Sequence, residues 1–168
     1  AKFLNVAKQA ALEAGKIISK YSGKKHKYQY KNKDKSDFAT QADVESERTI
    51  VEIITANFPN HNIIAEEKTR INNNSQYTWV IDPLDGTVSF VRGLPYVAVL
   101  IGLLKDNEAI LGVIYQVSSK DLYWAESSRG AYLNGKLLHV SKNNSLSNSA
   151  IGMDLGHKNT RVQKFDHY

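Results

Sequence analysis

The sequence contains no cysteine, one methionine, two tryptophans and three prolines among its 168 residues. Without a thiol there is no disulfide and no thiolate metal site, and the redox compartment is left undetermined. No run approaches the roughly eighteen apolar residues that a membrane span requires. The first twenty residues are amphipathic and lack the pattern of a secretory leader. A cytoplasmic location is therefore the expectation, with no membrane partner. Hydrophobic and charged shares of 42% and 23% exclude a disordered chain and suit a soluble globular protein the length of one ordinary domain.

The net charge of +5 is local, because seven lysines and a single acid, Asp34, fall between Lys20 and Lys35. Such a stretch with Tyr21, Tyr28 and Tyr30 interleaved suits RNA or another polyanion. It equally suits a solvated edge strand whose lysines discourage edge-to-edge pairing.

Phe3, Leu4, Ala7, Ala10, Ala11, Ala14, Ile17, Ile18 and Tyr21 recur at helical spacing and predict an opening amphipathic helix that ends before Gly23. Residues 27–31 alternate and predict a short strand. A second helix is expected from Asp43 to Asn57, with Ile50, Val51, Ile53, Ile54 and Phe58 inward and Pro59 closing it. Strands are expected at 62–65, 77–81, 96–104, 109–117, 121–126 and 130–140, the last carrying an Asn134-Gly135 turn. A further helical pattern follows around Arg161, Val162, Phe165 and Tyr168. Helices first and antiparallel strands after them give an α+β class.

The chemistry concentrates where predicted strands end in acids, at Glu66-Glu67, Asp82 and Asp85. In Trp79-Val80-Ile81-Asp82-Pro83-Leu84-Asp85-Gly86-Thr87 the proline is expected to stop the strand and let both aspartates address one spot. Carboxylates with no histidine or cysteine beside them are hard oxygen ligands that favour Mg²⁺ or Mn²⁺ over Zn²⁺. Backbone N–H groups at Gly86-Thr87 are placed to meet a phosphate. Together these are the halves of a metal-assisted phosphoryl hydrolysis. The competing reading is a plain turn, since Asp, Pro and Gly are all turn residues.

Residues Trp79–Phe90 resemble the signature of the inositol monophosphatase family, and three flanking blocks match in order. Asp37, Thr40 and Asp43 stand as the family's D-x-x-T-x-x-D, Phe58–Glu67 as its acidic-pair segment, and Gly93–Gly102 as the strand after the signature. The resemblance implies a layered αβαβα phosphatase fold whose N-terminal helices and antiparallel sheet this chain supplies. It also implies Mg²⁺-dependent hydrolysis of an inositol monophosphate or similar polyol or sugar monoester. Glu66, Asp82 and the Leu84 carbonyl would hold one Mg²⁺, and Asp82 and Asp85 a second, with a third, weaker cation site near Asp43. Glu66 and Thr87 would activate the attacking water, the Gly86 and Thr87 amides would bind phosphate, and Asp43 would stand behind Thr87. Relatives also commonly form homodimers, and some bacterial ones act as RNA-processing or transcription-complex partners, which the Lys20–Lys35 stretch would serve.

Two departures qualify the match. Ser89 occupies a position where the family usually carries asparagine, and serine is shorter and has no amide. Nothing matches the family's later W-D-x-A-x-G segment, whose aspartate completes the second metal site. Asp154 and Asp166 are the remaining acids near the end. Residues 1–168 are thus expected to be the N-terminal α+β lobe of a longer phosphatase, weakly active or inactive alone.

Overall fold

The computed structural model describes residues 2–24, 28–30 and 38–152. Five of the seven lysines of the Lys20–Lys35 stretch, Asp154, Asp166 and the helical pattern from Arg161 onward lie outside the described residues. The first helix, α1 (Lys2–Tyr21), buries Leu4, Ala7, Ala10, Ala11, Ala14 and Ile18, the stripe that the spacing predicts. Its small residues let the helix lie close on the sheet. At Gly15 even a β-carbon would stand 2.3 Å from the Tyr115 ring.

Helix α2 (Gln41–Asn57) begins two residues before the expected Asp43, because Thr40 takes the N-cap. The Thr40 hydroxyl accepts the Ala42 N–H at 3.1 Å, and the Asp43 carboxylate accepts the Thr40 N–H at 2.8 Å. This reciprocal box satisfies amides that a helix start leaves unpaired. Asp43 is therefore a third-position partner inside the helix. The buried face of α2 runs Asp43, Ser46, Glu47, Ile50, Ile54, so its first two turns bury acids where an ordinary amphipathic helix would bury apolar groups.

A two-stranded antiparallel ribbon, β1 (Tyr28–Tyr30) with β2 (Phe38–Thr40), precedes α2. The main sheet comprises β3 (Asn62–Ala65), β4 (Arg70–Ile71), β5 (Tyr77–Asp85), β6 (Ala98–Lys105), β7 (Glu108–Gln116), β8 (Asp121–Glu126), β9 (Gly130–Leu133) and β10 (Lys136–Leu137), in the order β10-β9-β8-β7-β6-β5-β3-β4. Asp106-Asn107 and Asn134-Gly135 turn two of its hairpins, all four residues having positive φ, as two-residue turns between twisted strands require. One pairing differs from the antiparallel expectation: β3 runs parallel to β5. The chain turns back through the short edge strand β4 before entering β5 on the other side of β3.

Alternation along the strands sorts two faces. Trp79, Ile81, Val99, Ile101, Leu103, Leu111 and Val113 are buried in one core with α1 and α2. Ile64, Val80 and Ile114 project from the opposite face and are exposed. The chain divides into two compact units, Ala1–Leu138 and His139–Tyr168. In the second, the Asn143 amide donates to the Asn148 carbonyl at 2.8 Å and to Ser149 Oγ at 2.9 Å, across a 3₁₀ turn at Leu146–Asn148.

At the N-terminal end of β5 an aromatic stack joins both helices to the sheet. The His61 ring is stacked on Phe58 and Tyr77 at centroid distances of 4.9 and 4.8 Å, and its Nδ1 accepts the Trp79 indole N–H at 3.1 Å. His61 is thus half-buried within this stack. Burial pushes the His61 pKa down, and protonating Nδ1 would break the indole bond. The unfolded chain then takes up this proton at a higher pH than the folded chain, so stability is full above about pH 6.5 and declines as pH falls through the folded value. Thermal melts from pH 7.5 to 5.5 should show wild type losing stability relative to His61→Gln. Parallel curves would remove His61 from the acid response.

Candidate active site

Two parallel strands bring the acids together. Beyond the last β3–β5 pair, Ala65 with Ile81, the Glu66 N–H donates to the Ile81 carbonyl at 3.0 Å. The ladder thereby continues one step and sets Glu66 beside Asp82. Alternation carries Ile64 and Val80, then Glu66 and Asp82, onto the open face. The two carboxyl groups share a hydrogen bond.

Pro83 does not stop the strand: β5 runs through it to Asp85. The register against β6 shifts here, with Asp82 opposite Leu100 and Asp85 opposite Ala98. Three steps on β5 therefore face two on β6, which is a bulge. A proline, lacking an N–H, is tolerated at such a place. The extra residue also has a geometric effect. Residues three apart in a regular strand point to opposite faces; here Pro83 and Leu84 are both buried, and Asp85 is brought close enough to act electrostatically on Asp82.

The Asp82 carboxyl is pushed up to about 7, first by burial, then by its hydrogen bond with Glu66 and the negative charges of Glu66 and Asp85. The Leu84 N–H, donating to Asp82 Oδ1 at 3.1 Å, opposes the shift only in part. Negative charge is thus concentrated at the end of the sheet. Beside it, Ile64, Glu66, Val80, Asp82, Leu100 and Ile114 help line an open cavity of about 500 Å³ on the exposed face.

Gly86 follows in the left-handed region, with φ +87°. A β-carbon there would lie 2.3 Å from the Tyr96 carbonyl oxygen, so only glycine makes this turn without displacing backbone. The short helix α3 (Thr87–Val91) starts at once. The Thr87 hydroxyl donates to Asp43 Oδ1 at 3.1 Å and, in a shared arrangement, to the Leu84 carbonyl at 3.3 Å. Asp43 is fully buried; burial raises its pKa against the hydrogen bonds from Thr40 and Thr87. Ser89 lies on α3 with its β-carbon 3.8 Å from the point a Gly86 side chain would occupy.

The structure therefore brings Glu66, Asp82 and Asp85 into one neighbourhood, and Asp43, Leu84 and Thr87 into a hydrogen-bonded set on the residues that follow. Among the described residues no three His, Cys, Asp or Glu side chains stand ready as a closed metal-holding group. The available donors are nonetheless of one chemical kind, carboxylate and carbonyl oxygen, which fits a hard cation. One functional candidate escaped sequence reasoning. Glu47, one turn after Asp43 on the same buried face, grips the segment behind Glu66. Its signal was an acid at a core-facing helical position.

The model of the inositol monophosphatase family matches residues 1–166. A fructose-1,6-bisphosphatase/inositol-1-monophosphatase of Aquifex aeolicus is 40% identical over 150 residues, covering 89% of this chain and 57% of the relative. A Nus factor SuhB of Pasteurella multocida is 35% identical over 160 residues, covering 95% and 60%. The crystal structure of extragenic suppressor protein suhB from Bartonella henselae superposes with a TM-score of 0.81 at 32% identity, over 85% of this chain and 56% of that one. The chain thus spans between half and two thirds of the length of these relatives. Its α+β fold, its four ordered sequence blocks and this match agree, and the chain belongs to the inositol monophosphatase family.

Proposed function

We propose that this chain carries the metal- and water-handling part of a Mg²⁺-dependent phosphatase acting on a small phosphate monoester, such as an inositol monophosphate or similar polyol or sugar phosphate. The observation that carries the reading is the meeting of Glu66 with Asp82 on the strand that leads into Thr87, whose hydroxyl proton is committed to Asp43 and Leu84. With its proton so directed, the Thr87 oxygen keeps its lone pairs for a water. Glu66 is a second acceptor for that water's proton. The amides of Gly86 and Thr87 are the phosphate donors in this reading.

Glu66, Asp82 and the Leu84 carbonyl would hold one Mg²⁺, and Asp82 with Asp85 another; a third near Asp43 belongs to the same proposal. Bound there, Mg²⁺ or Mn²⁺ would supply Lewis-acid stabilisation of the phosphoryl oxygens and a more acidic water. The proposal takes residues 1–168 as the N-terminal lobe of a larger enzyme, supported by the greater length of the relatives. The test is phosphate release from inositol 1-phosphate with Mg²⁺, with chelator, and in Asp82→Asn. Release that needs both the ion and Asp82 supports it, and chelator-insensitive release counts against it.

A second reading follows from a relative bearing the name Nus factor: contact with RNA or a transcription complex through Lys20–Lys35. Exchanging those lysines for glutamate should then weaken RNA binding and flatten its salt dependence. Unchanged affinity and slope in filter binding would dismiss this reading.

A further inference from the structure

Glu47 lies on the buried face of α2, 5% exposed, with no cation needed to explain its burial. Its carboxylate is satisfied by the chain segment that follows β3. Oε2 accepts the Glu67 N–H at 2.8 Å. Oε1 accepts the Lys68 N–H at 3.1 Å, the Thr69 N–H at 2.9 Å and the Thr69 hydroxyl at 2.8 Å. Three successive amides thus converge on one helical carboxylate, an arrangement that resembles an anion-binding nest with the anion built into the protein. Hydrogen bonds to a charged acceptor are the stronger kind, and four of them fix the segment's backbone from behind.

The same segment is closed at its base. The Ala65 N–H donates to the Thr69 carbonyl at 2.9 Å, and Arg70 Nη1 donates to the Ala65 carbonyl at 2.6 Å. Glu66 is the first residue of this closed turn and is itself exposed. Its backbone is tied to β5 through Ile81, but the direction it takes beyond β3 is set by residues 67–69. Glu66 shares a hydrogen bond with Asp82 while their like charges oppose it, so its position depends on how firmly the turn behind it is held.

We infer that Glu47 is a positioning residue: it clamps amides 67–69 to α2 and so holds Glu66 against Asp82 at the geometry a bound cation needs. This rests on the phosphatase reading for its metal consequence, although the clamp itself does not. Asp43 and Glu47 then act one helical turn apart, the first on Thr87 and the second on the turn behind Glu66, so a single helix face aligns both sides of the acidic cluster.

The test compares wild type, Glu47→Gln and Glu47→Ala, with Glu52→Gln as a control on the exposed side of α2. Two measurements are made: hydrogen exchange of the segment containing Glu67, Lys68 and Thr69, and Mn²⁺ affinity by electron paramagnetic resonance. The alanine variant should lose about tenfold or more in protection of those amides and about tenfold or more in Mn²⁺ affinity. Glutamine, which keeps one accepting oxygen for Lys68 and Thr69, should recover part of both. If the alanine variant does not fold, the glutamine variant alone decides between a partial loss and none. Unchanged protection in either folded variant overturns the clamp. Lost protection with unchanged Mn²⁺ affinity overturns its bearing on the metal. Wild-type protein that binds no Mn²⁺ overturns the metal consequence, while the clamp stands or falls on amide exchange alone and the phosphatase reading on phosphate release.

Discussion

On the phosphatase proposal, Asp82→Asn is expected to remove whatever Mg²⁺-dependent phosphate release the chain supports and, in the metal-free protein, to raise stability at neutral pH. The activity loss should exceed the 10- to 100-fold typical of disturbing a residue that merely supports a metal ligand, so a fall of at least about 10²-fold is the expectation. The gain in stability follows from the proton. The unfolded chain releases it near 3.8, whereas burial, Glu66 and Asp85 keep it on folded Asp82 until about 7. Between those values the folded state binds more protons, so stability falls as pH rises through the window and the loss is complete above it. The shift corresponds to about 4 kcal/mol at face value. Asp82 is only partly buried, and screening by solvent brings a realistic figure to on the order of 1–2 kcal/mol. Asparagine does not titrate. Melts in chelator should therefore separate the variant from wild type by a few degrees at pH 8 and bring the two together towards pH 4. Coincident melts at pH 8 would mean the acids do not strain one another, and retained turnover would deny Asp82 its place in the chemistry.

Trp79→Ala should have the largest effect on stability alone. The indole is fully buried and packs with Phe3, Phe58 and His61 at centroid distances of 6.3, 5.7 and 6.4 Å. Truncating a buried tryptophan costs about 3–5 kcal/mol, a large part of the 5–15 kcal/mol that holds a typical domain folded. The change also strips His61 Nδ1 of its donor. Trp79→Phe keeps most of the ring packing and should recover more than half of the loss. Urea unfolding followed by circular dichroism distinguishes these outcomes. A cost below about 1 kcal/mol for the alanine variant would contradict the packing described, since so small a value is that of a surface substitution.

Much of this architecture was legible because its signals are local. Alanine and leucine at helical spacing announced α1, and Asn134-Gly135 announced the last hairpin. The acids at strand ends marked the site, and the ordered blocks around Trp79–Phe90 named the family. Non-local facts were harder. Nothing in residues 62–65 or 77–81 states that the two strands run parallel, although only that pairing puts Glu66 and Asp82 at the same end. Pro83 reads as a stop, yet in the fold it occupies a bulge, where a missing N–H leaves no ladder partner unpaired. The second helix starts at Gln41 and not at Asp43 because the Thr40 hydroxyl, about one turn earlier, closes the reciprocal box. Glu47 was invisible as a contact because its partners are backbone amides, which every residue carries and no sequence distinguishes.

The pleat of β5 has a consequence for how the protein can change over generations. Trp79 and Ile81 on one side answer to the helices, while Val80 and Asp82 on the other answer to the cavity and its charges. Substitutions on the cavity side at positions 64, 80 and 100 can therefore vary the surroundings of the acids without disturbing the core, and changes on opposite sides should combine close to additively where they share no partner. One nine-residue ribbon thus separates tolerance from constraint residue by residue, leaving the neighbourhood of the carboxylates free to diversify on a scaffold that stays the same.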